Sequence, residues 1–183
     1  MYSPLEDSYF LSEILEKELR NSKRDLTFLD MGCGSCIQSL TANKFLNKAN
    51  ILCVDISREA LEEAENLGFK SIKSDLFLKV KENFDIISFN PPYLKEHKHD
   101  KKKDTSGGKK GDETIIKFLK QAKTHLNKGG KIFLLFSSHT PKDKIEKEIK
   151  KKYKVKNIHE KMLFMEKLFV YEITALSSLR NGK

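Results

Sequence analysis

Leu26-Thr27-Phe28-Leu29-Asp30-Met31-Gly32-Cys33-Gly34 decides the fold. An apolar run of strand length ends in an acid and breaks on two glycines. Glycine tolerates positive φ and has no side chain, so a Gly-x-Gly turn lets backbone approach a ligand closely. A helix is predicted from there to about Phe45, and the alternation then repeats. Asn50–Asp55 reads as a second strand. Ser57 caps a helix carrying Ala60, Leu61, Ala64 and Leu67, which stops at Gly68. A short strand at Lys70–Lys73 leads to Asp75. Phe84–Phe89 is a fourth strand, halted by Asn90-Pro91-Pro92-Tyr93. Strand-length runs alternating with helix-period segments mark βαβ units and a mostly parallel sheet.

Outward from this core, Ser3-Pro4-Leu5-Glu6 reads as a helix start, and Phe10, Leu11, Ile14, Leu15 and Leu19 line one face of an N-terminal helix within residues 1–20. Residues 94–111 are rich in Lys, Asp, His and Gly and are expected to form a flexible basic substrate loop. Asp112 starts a helix with Ile115, Phe118, Leu119, Ala122 and Leu126 on one face, expected to end at Gly129-Gly130. Lys131–Phe136 is a fifth strand. Thr140-Pro141 opens a helix with Ile145 and Ile149, and Tyr153–His159 and Leu168–Thr174 are the last two strands. The expected organisation is one domain over residues 1–175 and a tail at 176–183.

The 183 residues suit one domain, and a core can form at that length without disulfides or metal staples. The chain is 38% hydrophobic and 33% charged, with 12 Phe and 5 Tyr, which excludes wholesale disorder and collagen-like architecture. No apolar run approaches the roughly 18 residues that cross a bilayer, and the acidic, periodic N-terminus is unlike a secretory signal. Three cysteines are too few for a disulfide scaffold. A cytoplasmic location with no membrane association is the expectation. Lys+Arg 35 against Asp+Glu 26 gives net charge +9, which is compatible with RNA contact but also with a solvated lysine surface.

Asp30, Asp55 and Asp75 all fall at strand ends. In a doubly wound sheet, ligands bind beyond the carboxyl ends of the strands, so the three carboxylates are expected to face one crevice. An acid 21 positions after Gly34 can accept two hydrogen bonds from a ribose diol, which points to a nucleoside in the ligand. The dinucleotide fingerprint fails because position 37 is Ile. Asn90-Pro91-Pro92-Tyr93 follows a buried strand on the same edge. A planar amide or amine nitrogen has two N–H donors; the Asn90 side-chain oxygen and the Pro91 carbonyl can accept both, and the Tyr93 ring can pack on the planar group. That would hold the nitrogen in line with an electrophilic carbon.

Asp30-Met-Gly32-Cys-Gly34-Ser35, followed in order by Asp55, Asp75-Leu76 and Asn-Pro-Pro-Tyr, resembles the motifs of class I S-adenosylmethionine-dependent methyltransferases. Tyr2-x-Pro4-x-Glu6-Asp7-Ser8 narrows the likeness to the HemK/PrmC-type release factor glutamine methyltransferases, in their short archaeal and eukaryotic form without the bacterial helical N-terminal domain. Ser106-Gly107-Gly108-x-x-Gly111 and Glu166-Lys-Leu-Phe-Val-Tyr are similar to later family segments. The resemblance implies a Rossmann-like α/β domain with a seven-stranded, mostly parallel sheet, helices on both faces and an antiparallel last strand. It implies S-adenosyl-L-methionine as cofactor, with Ser8 and Asp30 at its methionine end, Gly32 and Gly34 supplying backbone, Asp55 on the ribose, Asp75 at the adenine amine and Leu76 on the ring. Asn90, Pro91, Pro92 and Tyr93 would bind the acceptor, with Asn90 also bordering the cofactor. The implied substrate is a class I peptide release factor, methylated on the Gln of its Gly-Gly-Gln loop. A small zinc-binding activator would add to an exposed sheet edge, and the short strand at Lys70–Lys73 suits that role.

Other readings compete. An exocyclic amine of adenine or guanine in RNA or DNA is geometrically like an amide, so a nucleic-acid methyltransferase is the alternative. A cofactor-binding scaffold without activity is a third class. The resembled family usually has Gly where this chain has Cys36, whose side chain is expected near the carboxylate end of the cofactor. Cys33-Gly-Ser-Cys36 also suits a redox pair. A zinc site is disfavoured, because zinc takes four ligands and Cys53 lies inside a strand. His97-x-His99 reads as solvated, and no metal is expected.

Overall fold

All four residues of β1 (Phe28–Met31) are buried, as are the first four of β2 (Ile51–Asp55). Strands covered on both faces read as continuous apolar runs, as a parallel sheet requires. The computed structural model describes residues 6–22, 25–92 and 111–176. The remaining strands are β3 (Lys70–Lys73), β4 (Phe84–Phe89), β5 (Leu126–Ser137), β6 (Tyr153–Leu163) and β7 (Glu166–Ala175). They form one seven-stranded sheet of order β3-β2-β1-β4-β5-β7-β6. β1 to β5 pair in parallel, and β7 runs antiparallel between β5 and β6. β3 is an edge strand, as the sequence suggested.

Successive side chains of a strand point to opposite faces, and the two cores follow from that rule. Leu29, Met31, Val54 and Ile87 pack on one face beneath α4 (Glu113–Ala122) and α5 (Lys142–Lys152), with Phe118 and Ile145 reaching in from those helices. Phe28, Ile51, Cys53 and Ile86 pack on the other, beneath α1 (Glu6–Arg20) and α3 (Arg58–Asn66), with Leu11, Leu15, Ala60 and Ala64. Each fully buried Leu, Ile or Phe contributes about 1.5–3 kcal/mol.

Several boundaries differ from the sequence reading. β1 starts at Phe28 rather than Leu26. The helix after the glycine turn, α2, is Ile37–Ala42, with turns carrying the chain on past Phe45. Gly129-Gly130 do not end a helix. α4 stops at Ala122, a 3-10 turn covers Lys123–His125, and both glycines lie within β5. The ladder pairs Phe84 with Leu126 and then Ile86 with Lys131, so the extra residues bulge. Gly129 has φ +80, and a Cβ on Gly130 would come within 2.9 Å of the Phe84 carbonyl oxygen. Steric need in a bulged strand, not a helix stop, selects these glycines. The residue 3–5 helix start, the basic segment at 94–110, Tyr93 and the 177–183 tail lie outside the described residues.

Candidate active site

Asn90 follows directly on β4, whose buried Phe84-Asp-Ile-Ile-Ser-Phe89 carries it to the carboxyl edge of the sheet. Pro91 is buried and Pro92 half-buried, so the Pro-Pro pair is wedged against the domain. The Asn90 amide nitrogen donates to Ser8 Oγ at 3.1 Å and, at a longer 3.4 Å, to Asp7 Oδ2. Both partners sit in the first turn of α1 and are buried, with Ser8 2% and Asp7 5% exposed. Asp7 also accepts from the Ser8 backbone N–H at 2.6 Å, and Gln38 donates to the Ser8 carbonyl at 2.9 Å. The amide is therefore fixed in orientation. Its oxygen, Oδ1, is buried and has no partner among the described residues. Buried acceptors are nearly always paired, so a bare one at a strand end is a position prepared for a donor.

The Ser8 hydroxyl accepts from Asn90 and keeps its own O–H to donate. Asp7 is not singled out by the sequence, and only the approach of α1 to Asn90 brings it and Ser8 onto that amide.

The three acids do not stand alike. Asp55 Oδ2 accepts from Gly34 N–H at 3.0 Å and Oδ1 from Ser57 N–H at 2.8 Å. It therefore clamps the glycine turn to the start of α3 and, with about four lone-pair sites on a carboxylate, keeps further acceptor capacity. Ser74 N–H bonds the Asp55 carbonyl at 3.0 Å, which brings the next residue, Asp75, beside the same strand end. Asp75 is half-exposed and pairs with Lys117 of α4 at 2.5 Å. Leu76 is buried in the core with φ +51. Asp30 is the most enclosed of the three. It is 2% exposed, and its Oδ2 accepts from Ser39 N–H at 3.0 Å and Ser39 Oγ at 2.6 Å. Burial, with the neighbouring Cys53 and Asp55, pushes its carboxyl well above the usual range against the Ser39 hydrogen bonds. Alternation explains this. Asp30 lies opposite Cys53 in register, on the face of the sheet that Phe28 and Cys53 share, so it ties β1 to α2.

The glycine turn passes through left-handed backbone at three positions. Gly32 has φ +65, Gly34 φ +50 and Cys36, immediately before α2, φ +59. A non-glycine residue in this left-handed region costs roughly 1 kcal/mol or more. That is a physical reason for the family's glycine at position 36. The Cys36 side chain is fully buried. Cys53, set aside because it lies in a strand, meets it there. The Sγ atoms of Cys33, Cys36 and Cys53 all lie within 4.8 Å of one another. The neighbouring Cys33 and Cys53 thiols draw the Cys36 thiol below its ordinary value, against the opposing cost of burial. His125, for which the sequence offered no partner, stacks on Phe77 with ring centroids 4.5 Å apart and contacts the Glu82 carbonyl at 3.0 Å through Nδ1.

A mostly parallel seven-stranded sheet with an antiparallel strand near one edge, a glycine turn after β1 and an acid ending β2 defines a class I S-adenosylmethionine-dependent methyltransferase. The family model described as Methyltransferase small domain matches residues 7–165, and the chain belongs to that family. A provisionally named protein N5-glutamine methyltransferase of Methanocaldococcus jannaschii is 35% identical over 152 residues, covering 76% of this chain and 74% of that protein. The ribosomal RNA small subunit methyltransferase C of Haemophilus influenzae is 31% identical over 133 residues, covering 69% of this chain and 37% of that protein. The solved E. cuniculi Mtq2–Trm112 complex, described as responsible for methylation of the eRF1 translation termination factor, superposes with a TM-score of 0.73. It is 20% identical and covers 94% of this chain and 96% of that one.

S-adenosyl-L-methionine is the cofactor of this class. The residues present suit it: a side-chain-free turn at Gly32 and Gly34, an Asp55 carboxylate with acceptor capacity left, and a half-exposed Asp75 carboxylate next to it. Among the described residues no helix is long and apolar enough to cross a membrane.

Proposed function

We propose that this chain methylates the side-chain amide nitrogen of the Gln in the Gly-Gly-Gln loop of a class I peptide release factor. The observation that carries the reading is the bare, buried Asn90 Oδ1 on an amide locked by Ser8 and Asp7. Asn90 Oδ1 accepts one N–H of the acceptor nitrogen and the Pro91 carbonyl accepts the other, with Pro92 and Tyr93 bounding the planar group. An amide lone pair is delocalised and weakly nucleophilic. Two acceptors aimed at its protons favour the positive charge that develops on nitrogen, and because they are held in advance they need no reorganisation. Asp55 would hold the ribose, Asp75 the adenine amine with Leu76 beside the ring, and Ser8, Asp30 and the backbone of Gly32 and Gly34 the amino-acid end. The bound cofactor would supply an electrophilic methyl group on a sulfonium; as the N–C bond forms, the sulfur–methyl bond would break to leave a neutral thioether, and the nitrogen would then release one of its two protons to water.

The protein acceptor is supported by the N5-glutamine name of the archaeal relative and by the likeness in fold to Mtq2 over 94% of this chain. The Trm112 subunit of that neighbour supports a small activator, which by the resemblance binds zinc. β3, a four-residue edge strand, is the site we propose for it. The second reading, transfer to an exocyclic amine of adenine or guanine in nucleic acid, draws on the ribosomal RNA relative and the net charge of +9.

The deciding experiment supplies labelled cofactor with recombinant release factor, with and without the activator, and in parallel with total RNA. Methylation of the Gln peptide, read by mass spectrometry, is the expected result. Label in RNA and none in protein would refute the proposal.

A further inference from the structure

The proposed chemistry leaves one buried constellation unused. Cys33 and Cys36 arrive from the glycine turn and Cys53 from β2, and their sulfurs converge within 4.8 Å of one another. None is more than 4% exposed. One buried thiol needs no explanation, since free cysteine packs as a small hydrophobe. Three meeting from two separate segments, with polar neighbours, ask for more. Ser39 Oγ stands 3.1 Å from Cys53 Sγ and 2.6 Å from Asp30 Oδ2.

We propose that Cys33, Cys36 and Cys53 bind a single soft, closed-shell metal ion of low coordination number, with Cu(I) as its representative. Thiolate donors select soft ions such as Cu(I) and zinc. With metal–sulfur bonds of about 2.3 Å, three sulfurs around one ion stand roughly 3.8–4.0 Å apart. A triangle whose sides are at most 4.8 Å reaches that size by closing less than about 1 Å. The donor count separates the two ions. Structural zinc takes four ligands, whereas among the described residues this cluster offers three. Asp30 Oδ2 is already engaged twice by Ser39 and sits in a nearly dry interior. Three-coordinate sulfur suits a monovalent ion. Each thiol that ligates releases its proton, the ion keeps its oxidation state, and no oxidant is required. The bound ion ties the Gly32–Gly34 turn to β2, adding to the clamp that Asp55 makes on Gly34.

The test titrates the reduced, full-length chain with Cu(I) under anaerobic conditions against a competing chromophoric chelator. One Cu(I) per chain is expected. Cys33→Ser, Cys36→Ser and Cys53→Ser should each lower the affinity at least tenfold. X-ray absorption of the wild-type complex should count three sulfur neighbours, and a His97→Ala/His99→Ala double variant should bind as the wild type does. Failure to take Cu(I) from the chelator overturns the proposal, as does wild-type affinity in Cys53→Ser or loss of binding in the histidine variant. Where a serine variant fails to fold by circular dichroism, the wild-type absorption spectrum decides. Three sulfurs sustain the site, and two refute it.

Discussion

Replacing Asn90 by alanine separates a catalytic acceptor from a structural amide, because the structure predicts opposite effects on stability and turnover. The native amide makes two hydrogen bonds through its nitrogen, to Ser8 at 3.1 Å and Asp7 at 3.4 Å, while its oxygen is buried and bare. Two such bonds contribute about 1–3 kcal/mol together, and the unpaired oxygen costs about 1–3 kcal/mol. The variant loses the first and is relieved of the second. Its stability should therefore stay within roughly 1 kcal/mol of wild type, a shift of about 2–4 °C in Tm for a domain of this size. Turnover behaves differently. Loss of a fixed hydrogen-bonding group at the reacting centre costs about 10²–10³ in kcat, roughly 2.7–4 kcal/mol. The assay measures labelled methyl transfer to a release-factor substrate at saturating cofactor, with calorimetric binding of the cofactor and a thermal melt on the same preparation. Cofactor binding should hold within about twofold by the same reasoning, since the lost group faces the acceptor. Wild-type turnover in Asn90→Ala would refute the assignment. So would a fall in Tm of about 10 °C with activity lost only in proportion to unfolded protein.

Three further predictions follow from the same geometry. At Cys36, with φ +59, Cys36→Gly should be more stable than Cys36→Ala by about 1 kcal/mol, since alanine keeps the left-handed strain and glycine does not; denaturant midpoints of the two variants compare them directly, and equal midpoints would count against strain at this residue. The Asp75–Lys117 pair is exposed by about half on each side, so Asp75→Asn should change stability by less than about 1 kcal/mol while weakening cofactor affinity measurably by calorimetry. Burial opposes the charge on Glu172, but hydrogen bonds from Asn157 and Lys131 outweigh it and hold its carboxyl below the usual range. A depressed carboxylate pKa gives stability that is present above the unfolded value of about 4.5 and is lost as pH falls through the lower folded value. Glu172→Gln should thus be less stable than wild type near pH 7 and converge on it well below pH 4, as read from urea unfolding across that range.

Much of the architecture was legible because it rests on local signals. Apolar runs at Phe28–Met31, Ile51–Asp55 and Phe84–Phe89 alternate with helix-period segments, and Ser57 caps α3 by accepting from Ala60 N–H at 3.5 Å. The misread pieces are those where a distant neighbour outvotes the local pattern. Gly129-Gly130 looks like a helix stop in sequence, yet the Phe84 carbonyl, packed 2.9 Å from where a Cβ would stand, makes Gly130 obligatory inside a strand.

The sequence alone determined the order of the chemical groups: a glycine turn after the first strand, an acid ending the second, and Asn-Pro-Pro following the fourth. Those identities are covalent, and the period-two and 3.6-residue patterns that place them at strand ends act over a few residues. Which way each group turns depends instead on packing between elements distant in the chain. Packing α1 against the sheet brings Asp7 and Ser8 onto the Asn90 nitrogen and leaves its oxygen bare. Pairing β1 with β2 sets Asp30 beside Cys53, enclosed in the interior. Folding the glycine turn back onto β2 gathers three thiols from positions 33, 36 and 53. Proximity across the fold depends on how helices cover a twisted sheet, and no local propensity encodes that distance.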